Sequence, residues 1–201
     1  MPTRSAIIQD VKCMHFPGLA AMAYYYFDFR DSKKQDCYGL VSSLVSQLSA
    51  ESNSCYGVLS ELYSKYSRDA PDIDALKKCL ADMLRLPKQG QFYIIVDALD
   101  ECPNFPGTPS ARGNVLQFVK EIVNLKLPNV NLCVASRPLM DIQLVLEPLT
   151  TLKMSLHDEN GQKQDIIDYI KYVVHSDTMD GWSEEDQNLA IDTLSENVNG
   201  M

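Results

Sequence analysis

The segment Phe92-Tyr93-Ile94-Ile95-Val96 constrains this chain more than any other. Five apolar residues stand in a row, are ended by Asp97, and are followed by Ala98-Leu99-Asp100-Glu101. A short uninterrupted apolar run predicts a strand buried on both faces, as in the middle of a parallel sheet. A second buried strand is expected over Val130 to Ala135, closed by Ser136-Arg137-Pro138. The periodicity between the two predicts a helix from about Asn114 to Leu125, after an irregular loop from Cys102 to Arg112 that carries Pro103, Pro106, Gly107 and Pro109. Strand, helix, strand is the order of an α/β domain with a parallel sheet.

The rest of the chain continues that alternation. A short helix is expected over Ala6 to Met14, and a strand over Ala20 to Phe29, built on Tyr24-Tyr25-Tyr26-Phe27. The tyrosines read as strand packing. Three helical faces follow: Val41, Leu44, Val45 and Leu48; then Leu59, Leu62, Tyr63 and Tyr66; then Ile73, Leu76, Leu80 and Met83, with Pro71-Asp72 as the start signal. Beyond the second buried strand come a short helix around Asp141 to Leu146 and a weaker strand candidate, Thr151 to Leu156. Helices over Asp165 to Val174 and Ser183 to Asn197 finish the chain. Ser183 and Asp186 resemble a capping box, and Trp182 before them reads as a hydrophobic staple.

Composition excludes several classes. The 201 residues suffice for one domain, and 45% hydrophobic with 22% charged residues is ordinary globular composition. The longest apolar run, Leu19 to Phe27, has nine residues. A membrane-spanning helix needs about 20. The first residues lack the apolar core of a secretion signal, so a cytoplasmic protein with no membrane partner is expected. Residues 1–156 hold 16 basic and 16 acidic groups, whereas residues 157–201 hold 11 acidic groups against Lys163 and Lys171, so the whole net charge of −9 lies in the last segment. Nothing there would neutralise a phosphate backbone, and nucleic acid is not an expected partner. The acidic helices are either a solvated face or a docking surface for a basic protein partner. The six cysteines, at 13, 37, 55, 79, 102 and 133, have no zinc-ligand spacing and read as reduced thiols, mostly core fillers.

In parallel α/β sheets, ligands sit at the carboxyl ends of the strands. Three carboxylates, Asp97, Asp100 and Glu101, leave the first buried strand together, and like charges so close call for a cation or a proton. Asp97 suits Mg²⁺, held directly or through water. Asp100 and Glu101 suit an attacking water. The alternative is a helix N-terminus, whose dipole acids complement. Arg137 closes the neighbouring strand. It could touch a γ-phosphate, or pair structurally with Asp97 or Glu101. None of the nine glycines is followed by lysine, so Gly-x-x-x-x-Gly-Lys-Ser/Thr is absent from the sequence.

At this point the chain resembles a family. The segments 23–35, Tyr93-Ile94-Ile95-Val96-Asp97-Ala98-Leu99-Asp100-Glu101-Cys102, Val134-Ala135-Ser136-Arg137-Pro138 and 165–170 are similar to the second strand, the Walker B motif, sensor 1 and the opening of the lid helices in fungal NACHT-type (STAND) P-loop NTPases with a nephrocystin-3-like N-terminal domain. The resemblance implies a P-loop NTPase-like parallel sheet flanked by helices. It assigns Mg²⁺ to Asp97, the hydrolytic roles to Asp100 and Glu101, and phosphate sensing to Arg137, with ATP or GTP driving a switch in signalling or self-recognition. Segment 6–11 resembles the helix just after Walker A. The expectation is therefore a truncated domain: residues 1–156 a core lacking the first strand and phosphate loop, residues 157–201 the acidic start of a lid, without the C-terminal repeats that family members often carry. Such a chain is expected not to hydrolyse nucleotide effectively. A switch with residual or complemented nucleotide binding, and an interaction module presenting the acidic helices, are the alternatives.

Overall fold

Strands β1 (Ala20–Tyr26), β2 (Gln91–Asp97) and β3 (Val130–Val134) pair in parallel, in the spatial order β1-β2-β3. Ala20 lies opposite Gln91 and Tyr26 opposite Asp97, while Phe92 lies opposite Val130 and Val96 opposite Val134. The computed structural model describes residues 20–66, 69–87, 90–104, 110–154, 160–176 and 181–196, so the helix expected over Ala6 to Met14 lies outside the described residues. The chain divides into two compact units, residues 1–150 and 151–201.

Five helices in the first unit flank the sheet: α1 (Cys37–Glu51), α2 (Asn53–Lys65), α3 (Ile73–Leu84), α4 (Ala111–Asn124) and α5 (Met140–Leu146). Helix α1 is central. Its Leu40, Val41, Leu44, Val45 and Leu48 are buried against Ala23, Tyr25 and Phe27 of the β1 segment and Phe92, Ile94 and Val96 of β2. The other face of the sheet buries Met22 and Ile95 among the half-buried Tyr24, Tyr26 and Tyr93. The central strand is thus apolar on both faces, as its unbroken run requires. The neighbouring aromatic pairs of β1 meet edge to face, with ring centroids 5.6 Å apart for Tyr24–Tyr26 and 5.0 Å for Tyr25–Phe27.

Helix boundaries follow their caps. The Asp72 side chain accepts from Ala75 N–H at 2.7 Å and starts α3 where Pro71-Asp72 predicts. Ser110 accepts from Gly113 N–H at 2.9 Å, so α4 begins three residues before its expected start. The expected strand to Phe29 stops at Tyr26. Phe27 N–H still reaches Asp97 C=O at 3.1 Å, but Asp28 then accepts from Arg30 N–H at 2.9 Å and turns the backbone out of the ladder. The face expected on α2 also differs. Leu59 and Leu62 are partly buried, Tyr63 is exposed, Tyr66 lies past the helix end as its cap, and the buried residue is Cys55. Thr151 to Met154 form no strand, and Leu152 and Met154 are exposed; Ser155 and Leu156 lie outside the described residues.

The two edges of the sheet are treated differently. Gln47 of α1 accepts from Tyr24 N–H at 3.1 Å and donates to Tyr24 C=O at 2.8 Å, so a side-chain amide closes the outer edge of β1 as a neighbouring strand would. Among the described residues no strand pairs with the outer edge of β3. Gln47→Leu keeps the bulk and removes both bonds. It is expected to cost about 1–3 kcal/mol in urea unfolding, and a loss under ~0.5 kcal/mol would mean that the amide does not close the edge.

In the second unit, α6 (Asn160–Val174) and α7 (Glu184–Glu196) pack on each other. Both start near their expected positions, α6 five residues early. Ser183 Oγ donates to Asp186 Oδ2 at 2.6 Å and accepts from Asp186 N–H at 3.2 Å, the reciprocal cap that the sequence suggests. No helix among the described residues is long and apolar enough to cross a membrane.

Candidate functional site

The carboxyl ends of the three strands come together around one turn. Asp97 is the last residue of β2, and its Oδ1 accepts from Ala98 N–H at 2.9 Å. Ala98 has φ 53° and ψ 42°, a left-handed backbone at a non-glycine residue. That conformation is strained, and it reverses the chain so that Leu99 N–H reaches Ala135 C=O beyond β3 at 3.1 Å. Leu99 is fully buried and anchors a single 3-10 turn, Leu99–Glu101. Because the turn has only three residues, it carries no helix macrodipole of consequence, and the acids are not there to complement one.

Each acid of that turn ties β2 to a neighbouring strand. Asp100 Oδ1 accepts from Arg137 N–H at 3.1 Å, and its Oδ2 lies 3.3 Å from Arg137 Nε. Glu101 Oε2 accepts from Phe29 N–H at 3.2 Å, just beyond β1. The ion pair left open for Arg137 is therefore made, but with Asp100 and not with Asp97 or Glu101. The Asp100 side chain is 11% exposed and that of Arg137 is 81% exposed, so the arginine lies over the carboxylate from the solvent side. The outcome is a clasp across the sheet end, made of the four residues expected to do chemistry there, less Asp97.

Behind the clasp stands a residue for which the sequence reading made no provision. Arg112, in the first turn of α4, is 8% exposed. Its Nη2 donates to Asp100 C=O at 2.7 Å, its Nε to Cys102 C=O at 2.9 Å, and its Nη1 to Asp141 Oδ2 at 3.0 Å. Asp141 also accepts from Asn104 Nδ2 at 2.8 Å. One guanidinium therefore holds the acidic turn, the loop after it and α5 together. The available signal was Ser110 as a cap, which puts Arg112 inside the helix instead of in the irregular loop where it was expected. Cys102 Sγ donates to Gln35 C=O at 3.3 Å, and Gln35 Nε2 donates to Phe29 C=O at 2.6 Å, closing the β1 side.

A cleft of about 460 Å³ opens over these groups, lined by Phe29, Gln35, Asp100, Glu101, Arg112 and Arg137. Cys102 also lines it and is itself fully buried. Burial pushes the Cys102 thiol up to about 12, and those of Cys37 and Cys79 up to about 11. Cys133 is the exposed cysteine among the described residues, so the core-filler reading holds for Cys37, Cys55, Cys79 and Cys102 only; Cys13 lies outside them. Among the described residues no group of three or more His, Cys, Asp or Glu could hold a metal ion.

A parallel three-stranded sheet flanked by helices, with an acidic turn and an arginine meeting at its carboxyl end, defines an α/β protein of P-loop-like build. The chain belongs to the nephrocystin 3 N-terminal family, whose model matches residues 4–137. That match ends at Arg137 and so takes in the whole clasp. No curated protein and no solved structure matches the chain.

Proposed function

We propose that this chain is a NACHT-type domain of a cytoplasmic signalling NTPase of the STAND class, of the kind found in fungi, and that its 201 residues do not hydrolyse nucleotide effectively. In this reading, Asp97 to Glu101 is the Walker B segment and Arg137 the sensor 1 arginine. The observation that carries the reading is the clasp. Both oxygens of Asp100 are taken up by Arg137, at 3.1 and 3.3 Å, and Glu101 already accepts from Phe29 N–H. Asp100 is thus turned to Arg137, Glu101 has one oxygen engaged by Phe29 N–H, and the arginine assigned to a γ-phosphate is paired with its neighbour. The absence of Gly-x-x-x-x-Gly-Lys-Ser/Thr from the 201 residues points the same way.

The carboxylate of Asp97 is a donor of the type that Mg²⁺ takes. With no cluster of three ligands among the described residues, the ion would draw its other oxygens from phosphates and water. Asp97 would hold Mg²⁺, and Arg137 would face the terminal phosphate of ATP or GTP once freed from Asp100. Bound Mg²⁺ would supply neutralisation of phosphate charge.

A thermal melt with and without Mg·ATP or Mg·GTP tests the proposal, with Asp97→Ala as control and phosphate release measured alongside. A ligand at 100 times its Kd adds about 2.7 kcal/mol, a shift on the order of 5–10 °C for a domain of this size. The expected result is a cooperative melt with no shift and no phosphate release. A shift of that size accompanied by phosphate release, both lost in Asp97→Ala, would overturn the proposal in favour of an active nucleotide switch.

A further inference from the structure

Helix α7 exposes a face on which Leu189, Ala190 and Leu194 alternate with Asp186 and Thr193. Asp186, Leu189, Ala190, Thr193 and Leu194 recur at helical spacing along one face, and with Trp182 ahead of the cap they line a groove of about 530 Å³. Trp182 is 48% exposed, Leu189 66% and Leu194 41%. Large apolar side chains exposed together along one groove, in place of singly, mark an interaction surface. The charge on α7 itself is of one sign. Helix α7 carries Glu184, Glu185, Asp186, Asp192 and Glu196 and no lysine or arginine, and the three acids of its first turn stand beside Trp182 in the chain.

We infer that this groove binds a basic amphipathic helix of another protein, with apolar anchors at i, i+3 or i+4, and i+7 in the groove and lysines or arginines against the acidic rim. The charge selects the occupant. A second copy of this chain would bring the same acidic helix against its like, and residues 1–156, with 16 basic and 16 acidic groups, offer no excess of positive charge to compensate. An anionic membrane surface is repelled for the same reason. A cationic side chain over the indole face of Trp182 would add a favourable contact. The inference does not depend on nucleotide binding, because none of its residues belongs to the clasp.

Trp182 is the one tryptophan of the chain, so its emission reports on the groove alone. The probe is an 18-residue synthetic peptide of leucine and lysine, with its leucines on one helical face. Controls are the same composition scrambled so that no face forms, and the same pattern with glutamate for lysine. All are titrated into the full chain. The amphipathic lysine peptide is expected to shift Trp182 emission to the blue and to bind at least tenfold more weakly when salt rises from about 50 to about 300 mM. Binding is expected to fall at least fivefold in Leu189→Ser, whose exposed site leaves the fold intact by circular dichroism, and in the double charge reversal Glu184→Lys/Glu185→Lys. An unchanged Trp182 emission would overturn the inference. So would equal binding of the scrambled peptide, which would indicate bulk charge attraction only, or undiminished binding in Leu189→Ser. Concentration-dependent self-association in sedimentation, abolished by Leu189→Ser, would assign the groove to a second copy and overturn it as well.

Discussion

Arg112→Ala is expected to lower the stability of the chain by about 3 kcal/mol or more, with the melting temperature falling on the order of 10 °C. Arg112 is a buried cation that satisfies three acceptors from three places: Asp100 C=O, Cys102 C=O and Asp141 Oδ2. Removing it strands two backbone carbonyls and leaves Asp141 with Asn104 alone. Orphaned acceptors cost more than their bonds contributed, because the desolvation they suffered on folding is no longer offset. Arg112→Met separates packing from hydrogen bonding, since it fills most of the volume and donates nothing. It should be nearly as damaging as alanine. Denaturant unfolding of both variants checks this, and recovery of more than half the loss by methionine would mean that the guanidinium acts chiefly as filler.

Phe92→Ala should be comparably severe, and its neighbour should not. Phe92 is 1% exposed and is among the largest fully buried side chains, facing the helices through α1. Truncating such a phenylalanine costs about 3–5 kcal/mol, part transfer and part cavity. Tyr93 points to the opposite face, among the half-buried Tyr24 and Tyr26 around Met22 and Ile95. Tyr93→Ala should cost roughly half as much or less, since less of its surface leaves water on folding. Guanidinium melts of the pair, compared at equal slope, measure the difference. Equal losses would mean that the two faces of the sheet contribute equally, contrary to the unequal burial.

Much of the fold was legible because burial leaves a simple trace. Phe92 to Val96 became a strand buried on both faces, as its uninterrupted apolar run requires. Val130 to Val134 also became a strand within a residue of expectation, but not a buried one: Asn131 interrupts it, and its residues alternate between half-buried and exposed because it pairs on one side only among the described residues. Where polar side chains decide, the reading erred. Asp28 ended β1 by hydrogen-bonding its own neighbour, and the alternation of Leu152 and Met154 mimicked a half-buried strand that found no partner. The site was legible in position and not in pairing. Asp97, Asp100, Glu101 and Arg137 do gather at the carboxyl ends of adjacent strands. Which acid meets the arginine depends on the left-handed turn at Ala98, and alanine gives no warning of positive φ. Arg112 escaped notice because Pro103 to Pro109 reads as loop, and the Ser110 cap that opens α4 is a single hydroxyl within it.

The amide of Gln47 on Tyr24 has a consequence in time. Ala20 of β1 is paired with Gln91, about 70 residues further along the chain. At ribosomal rates of roughly 5–20 residues per second, the first strand waits on the order of 4–14 s for the second to be made. Gln47 is only 23 residues from Tyr24, and α1 is complete soon after. A helix that offers both a donor and an acceptor to the waiting strand, together with an apolar face for Ala23 and Tyr25, can hold β1 extended long before its lasting neighbour is synthesised. On this view Gln47 is a placeholder as well as an edge seal: it shortens the interval in which a bare run of three tyrosines could find the wrong company.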